Sequence, residues 1–380
     1  MSAVGHSYYT LDVGDPAPWF TQRASSNPRY VFDTAAGRYV VLCFHGSTGL
    51  PGARDALDAV IARRGLFDDA RACFFGVTVD PADETGNKVE AMMPGIRHIY
   101  DFDGSVSRRY GVLPVEAKPG EPAPLRRAWV VLDPTLRVLK ITPLTADGAE
   151  AAEVLDFIAA LPPPARFAGV ELQAPVLLLP NVFEPELCRR LIADYERDGG
   201  QESGFMRQID GRTVLMQDAS HKKRKDFEIV DPELIRTIQT RFRRRVAPEI
   251  QKVHQFHATR MERYIVGCYA AEDAAHFRAH RDNTTAGTAH RRFAVSVNLN
   301  EDFDGGEVSF PEYGPRSFKA PAGGAVVFSC SLLHAVSRVT RGRRYVFLPF
   351  LYDDAAAKVR EANAQYLDLG QRTPAAPTTG

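Results

Sequence analysis

The sequence lacks any apolar stretch near the roughly 20 residues that a bilayer-spanning helix needs, so no transmembrane helix is expected. It also lacks a secretory pattern, because Met1-Ser-Ala-Val-Gly-His-Ser-Tyr8 brings neither a basic stretch nor an apolar run. Five cysteines, at 43, 73, 188, 268 and 330, form no C-x-x-C pair and lie mostly among apolar residues. That excludes a disulfide scaffold and a dithiol motif, and predicts buried, reduced thiols in a cytoplasmic protein. An excess of charge of either sign is missing too: 47 acidic residues face 47 basic ones, with a pI of about 7.2. Neither nucleic acid nor an anionic membrane is therefore an expected partner, since both are held mainly by charge.

What is present is length enough for two cores. A chain of 380 residues exceeds the size at which one hydrophobic core stops growing. The runs Tyr39–Phe44, Ala72–Val79 and Ala128–Asp133 are short and continuously apolar, as in strands covered on both faces, and a helical pattern spans Ala53–Ala62. Strands alternating with helices predict a mainly parallel α/β sheet. The prolines of Leu161-Pro-Pro-Pro-Ala165 mark a linker. Beyond it, helical patterns over 184–195 and 232–246 precede short strands separated by turn residues, expected over 263–269, 277–281, 294–299, 307–310, 324–329, 335–339 and 345–351. Such spacing suggests a sandwich or barrel, the jelly roll included. The expected division is a first domain over residues 8–163, a second over 170–356, and a C-terminal extension and frayed tail over 357–380.

Inside the β-rich part stand His280, Asp282, His334 and, ten residues later, Arg344. Residues two apart on a strand share a face, so H-x-D brings an imidazole and a carboxylate to one point, where a distant histidine could complete a metal site. Two histidines and one carboxylate with open positions are the signature of non-heme Fe(II) oxygenases. Arg344 then acquires a role, since a guanidinium fork matches the far carboxylate of a dicarboxylic 2-oxo acid chelated to the metal.

Tyr264-x-x-Gly267-x-Tyr269, His280-x-Asp282, the run 298–307 with its Gly-Gly-Glu turn, Pro321–Phe328, His334 and Gly342-Arg-Arg344-Tyr together resemble the prolyl 4-hydroxylase-type Fe(II)/2-oxoglutarate dioxygenases. The likeness covers about 180 residues in motif order. It implies a double-stranded β-helix (jelly roll) with flanking helices, a ferrous ion held by His280, Asp282 and His334, and Arg344 paired with the 2-oxoglutarate C5 carboxylate. It further implies a co-substrate contact from Tyr269 and a hydrogen-bonding side chain at Asn298. The implied activity takes 2-oxoglutarate and O2 to succinate and CO2 while hydroxylating a C–H bond of a protein side chain, an amino acid or a small metabolite. Ascorbate is the implied reductant keeping the iron ferrous.

Bland readings stand beside these. A lone H-x-D is usually an ordinary polar pair, but that reading needs the distant His, the Arg at plus ten and the Gly-Gly-Glu turn to coincide. Tyr269 and Asn298 could be a strand tyrosine and a turn asparagine. His254, His257, His276 and His290 lack the two-residue spacing from Asp282 and read as solvated or structural. The run His221-Lys-Lys-Arg-Lys225 and the arginines at 241 and 243–245 read as solvated faces rather than an anion site. Asn283-Thr-Thr285 and Arg291-Arg292 flank the predicted metal edge, as substrate contacts or as a polar turn.

The first domain resembles the peroxiredoxin branch of the thioredoxin fold through Val13-Gly-Asp-Pro-Ala-Pro18, the Val40–Phe44 strand, Phe75–Asp80 and Arg127–Pro134. Where that family places its nucleophilic cysteine, at the start of the helix after the strand, stands Ala53. Peroxide reduction needs an activated thiolate, which alanine cannot supply. The expectation is a non-catalytic redoxin-like domain, with a thiol redox protein or a docking module as the alternatives.

Overall fold

A computed structural model describes residues 6–368. The chain divides into two compact units between Gln173 and Ala174, with Pro311–Pro315 grouped with the first. The prolines expected to form a linker lie inside the first unit, where Pro164–Arg166 makes a 3-10 turn and the Tyr39 hydroxyl donates to Pro162 O at 2.9 Å. No helix among the described residues is long and apolar enough to cross a membrane.

The first unit is a seven-stranded sheet in the order 27–31, 21–24, 96–100, 72–78, 39–46, 128–132, 138–143. Only its centre is parallel: Tyr39–Gly46 pairs parallel with Ala72–Thr78, which pairs parallel with Ile96–Tyr100. The flanking pairs are antiparallel, which corrects the mainly parallel expectation. Strand Ala128–Leu132 arrives through an irregular loop and turns back at once into Val138–Pro143, so no helical crossover imposes parallel pairing there. Helices Ala53–Ala62 and Glu150–Ala160 bury Ala56, Leu57, Val60, Val154, Leu155 and Ile158 against Val41, Phe74, Trp129 and Val131 of the sheet.

The second unit carries two principal sheets. The larger runs 260–262, 350–352, 293–298, 343–347, 265–270, 225–228, 201–202, with 325–329 beside 293–298 and 177–179 beside that. The smaller runs 222–223, 276–280, 334–336, 308–309, 317–318. Together they make the double-stranded β-helix. The segment expected as one strand over 345–351 is two, Arg343–Phe347 and Phe350–Tyr352, interrupted at Pro349, which has no N–H to donate.

Helices Pro185–Asp198 and Pro232–Arg245 cover one face of the larger sheet, Pro filling the first turn of each. Their Leu187, Leu191, Leu234, Ile238 and Phe242 pack with Val266, Cys268, Val295, Val297, Tyr345 and Phe347. Strand alternation then sends the residues between, Gly267, Tyr269, Ser296, Asn298 and Arg344, to the opposite face. The site of interest is built there.

Part of the tail expected to fray is ordered. Helix Asp354–Asn363 crosses the expected boundary at 356/357, and Leu367–Asp368 pairs parallel with strand Arg212–Met216. Leu367 packs so closely on Gly287 that a Cβ there would lie 2.4 Å from its Cδ2, so burial of one leucine anchors the segment. The rest of the expected tail, 369–380, lies outside the described residues.

Candidate metal centre

Strand His276–His280 pairs antiparallel with His334–Val336, placing His280 directly opposite His334, their ring centroids 4.2 Å apart. The first strand ends at His280, so Asp282 stands just beyond it rather than within it, held by its backbone N–H to Cys330 O at 3.0 Å. The three side chains nonetheless converge. His280 Nε2 lies 3.5 Å from one Asp282 carboxylate oxygen and His334 Nε2 lies 3.4 Å from the other. One ligand atom from each falls within 4.8 Å of the others.

Both imidazoles are oriented the same way. The Nδ1–H of His280 donates to Arg278 O at 2.8 Å, and that of His334 donates to Leu332 O at 3.0 Å. A carbonyl can only accept, so each Nδ1 carries the proton and each Nε2 keeps its lone pair toward Asp282. Phe277 stacks on the His280 ring at 3.5 Å, and Phe328 tilts against His334 at 4.6 Å, fixing both planes. Burial, reinforced by His280, pushes the His334 pKa down to about 4. A divalent metal takes imidazole through an unprotonated ring nitrogen and aspartate as the carboxylate, and this set offers one such nitrogen from each histidine.

This cluster passes a test of fit: His280 Nε2 is buried and has no hydrogen-bond partner among the described residues. A buried lone pair without a donor is costly, and a cation between the imidazoles and Asp282 would satisfy it.

Arg344 lies on the face of the larger sheet turned away from the two covering helices. Its Nε donates to Asn298 Oδ1 at 2.9 Å and its Nη2 to Ser296 Oγ at 2.7 Å, while Nη1 is buried without a partner. Burial lowers the guanidinium pKa to about 10, so it stays charged at neutral pH. A Cβ on Gly306, whose φ is 65°, would lie 3.0 Å from Arg344 Cδ, so the second glycine of the Gly-Gly-Glu turn lets the arginine past. Tyr269 is the register partner of Arg344 on the neighbouring strand, its ring 5.4 Å from the guanidinium carbon. Asn298, expected to touch co-substrate, donates from Nδ2 to Ala320 O at 2.7 Å and accepts at Oδ1 from Arg344 Nε at 2.9 Å, so it also holds the arginine in place.

Of the other histidines only His221 packs near the cluster, its ring centroid 6.5 Å from that of His280. His276 sets its ring nitrogens against Ala274 O and Ser220 O at 3.0 and 3.2 Å, and His290 Nε2 lies 3.0 Å from the Glu262 carboxylate. Ring contacts place His254 against Phe293 at 5.0 Å. Half-buried Arg291 donates to Glu262 at 2.8 Å, and Asn283 Nδ2 donates to Ser331 Oγ at 2.8 Å. Arg241 and Arg245 pair with Glu184 at 3.2 and 2.6 Å.

The basic run was misread. Lys222 and Arg224 are each 5% exposed, not solvated. Lys222 lies on the smaller sheet, bonded through Nζ to Ser203 Oγ and Gly204 O, both at 2.6 Å, and burial with Arg224 nearby pushes its ammonium well below the usual lysine range. Arg224 grips Asp226 with two bonds, at 2.6 and 2.7 Å. Composition alone could not reveal this, because the run bridges two short strands, Lys222–Lys223 of the smaller sheet and Lys225–Glu228 of the larger, whose pairing does the burying.

In the first unit, Ala53 opens its helix fully buried. Burial pushes the Cys43 thiol well up and the Cys73 thiol to about 12, so neither supplies a thiolate at neutral pH. Arg127 donates to Pro51 O at 2.9 Å, a bond to the loop before that helix.

Comparison with known proteins agrees with this division. Residues 261–352 match the 2OG-Fe(II) oxygenase superfamily and residues 13–139 match the AhpC/TSA family. A PKHD-type hydroxylase from Synechococcus sp. is 29% identical over 173 residues, covering 43% of this chain and 71% of the relative. Among solved structures, a prolyl hydroxylase from Trichoplax adhaerens, in complex with a hypoxia inducible factor oxygen degradation domain peptide fragment, aligns with 15% identity and a TM-score of 0.40 over 49% of this chain and 86% of its own. Peroxidoxin BcpB from Mycobacterium tuberculosis aligns with 20% identity and a TM-score of 0.33 over 40% of this chain and 99% of its own. The match over residues 261–352 supports a dioxygenase function for the second unit, and that over 13–139 a likeness of the first to AhpC/TSA proteins.

Proposed function

We propose that the protein is a cytoplasmic Fe(II)- and 2-oxoglutarate-dependent dioxygenase that hydroxylates a C–H bond of a protein side chain, an amino acid or a small metabolite, releasing succinate and CO2. The observation that carries this is a pair of buried atoms without partners, His280 Nε2 in the His–Asp–His cluster and Nη1 of Arg344. One asks for a cation and the other for an anion.

His280, Asp282 and His334 would hold the iron. When bound, ferrous iron supplies open positions for a chelating 2-oxo acid and O2, together with the redox chemistry of C–H oxidation. The chain's own contribution is placement. The carbonyls of Arg278 and Leu332 keep both Nε2 lone pairs turned inward, and Asn298 and Ser296 fix the Arg344 fork so that Nη1 meets the C5 carboxylate of 2-oxoglutarate. Phe277, Phe310 and Phe328 line the ligand side chains and exclude bulk water from them. Ascorbate would be the reductant that keeps such a site ferrous.

Succinate formation from 2-oxoglutarate in the presence of cell extract should require added iron and vanish in His280→Ala. Turnover undiminished in that variant would reject the assignment. The first unit, over 8–163, is proposed as a non-catalytic module serving the 170–356 domain, a reading favoured by Ala53 at the helix start and by the buried thiols. Peroxide consumption by the full chain that disappears in Cys43→Ala would favour the thiol redox alternative instead.

A further inference from the structure

Tyr269 is buried, and its hydroxyl accepts a hydrogen bond from Arg224 Nη1 at 3.2 Å. The described residues offer no acceptor for its own proton. A phenol oxygen that accepts on one side must aim its O–H elsewhere. On the other flank of the ring stands Arg344: the guanidinium carbons of Arg224 and Arg344 lie 5.5 and 5.4 Å from the ring centre. One phenol is therefore shared by two buried cations, and only the second has a nitrogen, Nη1, without any partner.

Arg224 reaches this place through specific packing. Strand Lys225–Glu228 pairs with Ile265–Ala270 so that Asp226 stands opposite Gly267. A Cβ on Gly267 would lie 3.0 Å from Arg224 Cδ, 3.1 Å from its Nε and 3.2 Å from Asp226 Oδ1. The missing side chain opens a channel across the strand, and the arginine lies in it toward Tyr269, two residues on along the same face. Asp226 holds the other edge of the guanidinium in a bidentate pair, and Ser203 Oγ lies 3.3 Å from Nη2. A rigid fork with its charge partner on one edge has one edge left, and that edge is spent on the tyrosine.

We propose that Arg224 is a positioning residue, which lies across Gly267, is anchored by Asp226, and orients the Tyr269 hydroxyl so that its proton is donated to the co-substrate carboxylate that Arg344 pairs with. The inference rests on the dioxygenase reading and deepens it. It assigns part of the co-substrate pocket to a basic run outside the H-x-D, His and Arg pattern.

The test is anaerobic calorimetric titration of 2-oxoglutarate into the full-length protein loaded with Mn(II), with thermal unfolding and steady-state kinetics alongside. Arg224→Met and Tyr269→Phe should each weaken 2-oxoglutarate about tenfold, the size of one charge-assisted hydrogen bond. The double variant should bind no more weakly than the worse single one, because both changes remove the same hydrogen bond. Mn(II) affinity should stay at the wild-type value, and KM for 2-oxoglutarate should rise with kcat within about twofold, a split that general loosening would not give. If Arg224→Met leaves Asp226 unpaired and the protein unfolded, the charge-neutral combination of Arg224→Met with Asp226→Asn carries the same expectation. Wild-type affinity in the Arg224 variants, or additive losses in the double variant, would overturn the positioning role alone. A wild-type protein that releases no heat with 2-oxoglutarate would sink the dioxygenase reading and this inference with it.

Discussion

Tyr269 and Arg344 stand opposite each other on adjacent antiparallel strands, the guanidinium carbon 5.4 Å from the ring centre and both side chains almost wholly buried. Burying a guanidinium with one donor unspent costs stability unless an anion joins it. Arg344→Met should therefore leave the ligand-free protein as stable as wild type or more so, while weakening 2-oxoglutarate about 100-fold. Thermal unfolding with and without 2-oxoglutarate checks both halves. A lowered midpoint without ligand, together with retained stabilisation by ligand, contradicts the assignment.

Metal should stabilise the protein through the same cluster. A cation that binds only the folded chain adds about 2.7 kcal/mol at one hundred times its dissociation constant, so the unfolding midpoint should climb with Mn(II) or Fe(II) concentration. In Asp282→Asn and His334→Ala the climb should disappear, as seen by thermal unfolding with and without a chelator.

Much of this cluster was legible in sequence because the determinants are local. The two-residue spacing of His280 and Asp282, the ten-residue offset from His334 to Arg344 and the Gly-Gly turn follow from strand and turn geometry. What escaped depends on which sheet a residue joins. Lys222 and Arg224 look like exposed charges until strand pairing buries them, and the hold of Asn298 on Arg344 appears only once their strands lie side by side. The antiparallel edges of the first sheet escaped for a related reason, since direction is set by the connection rather than by the strand's own composition.

The misread run yields a contrast between neighbours. Lys222 is buried and bonded to Ser203 and Gly204, whereas Lys223 is half-buried and only 3.7 Å from Asp273. Lys222→Ala should cost roughly 2–3 kcal/mol through lost packing and stranded polar atoms, and Lys223→Ala less than about 1 kcal/mol. Urea denaturation separates the two, and equal losses would contradict the burial.

Acid sensitivity should trace to Glu262, which accepts from Arg291 at 2.8 Å and lies 3.0 Å from His290. Burial alone would raise its carboxyl, but the close approach of His290 and the charge and hydrogen bond of Arg291 outweigh it and bring the pKa from 4.5 to about 2. A carboxylate depressed in the folded state contributes stability above its unfolded pKa and loses it as the pH falls through the folded one. Glu262→Gln should lower the unfolding free energy at pH 7 by roughly 2–3 kcal/mol and flatten its decline between about pH 5 and pH 2. An unchanged slope in urea titrations across that window would contradict this account.

The first unit should be inert to peroxide. Cys43 and Cys73 are buried with raised thiol pKa values, so hydrogen peroxide followed by dimedone should leave neither with an adduct in peptide mass mapping of the native protein. A dimedone adduct at either cysteine would reopen the thiol redox alternative.

The most direct measurement is anaerobic calorimetry of 2-oxoglutarate against the full-length protein, with and without Fe(II), in wild type and His280→Ala. The account predicts one 2-oxoglutarate per chain, tight binding only when iron is present, and loss of that iron dependence in the variant. Binding of equal strength without iron, or an iron-dependent gain that survives in His280→Ala, would contradict it.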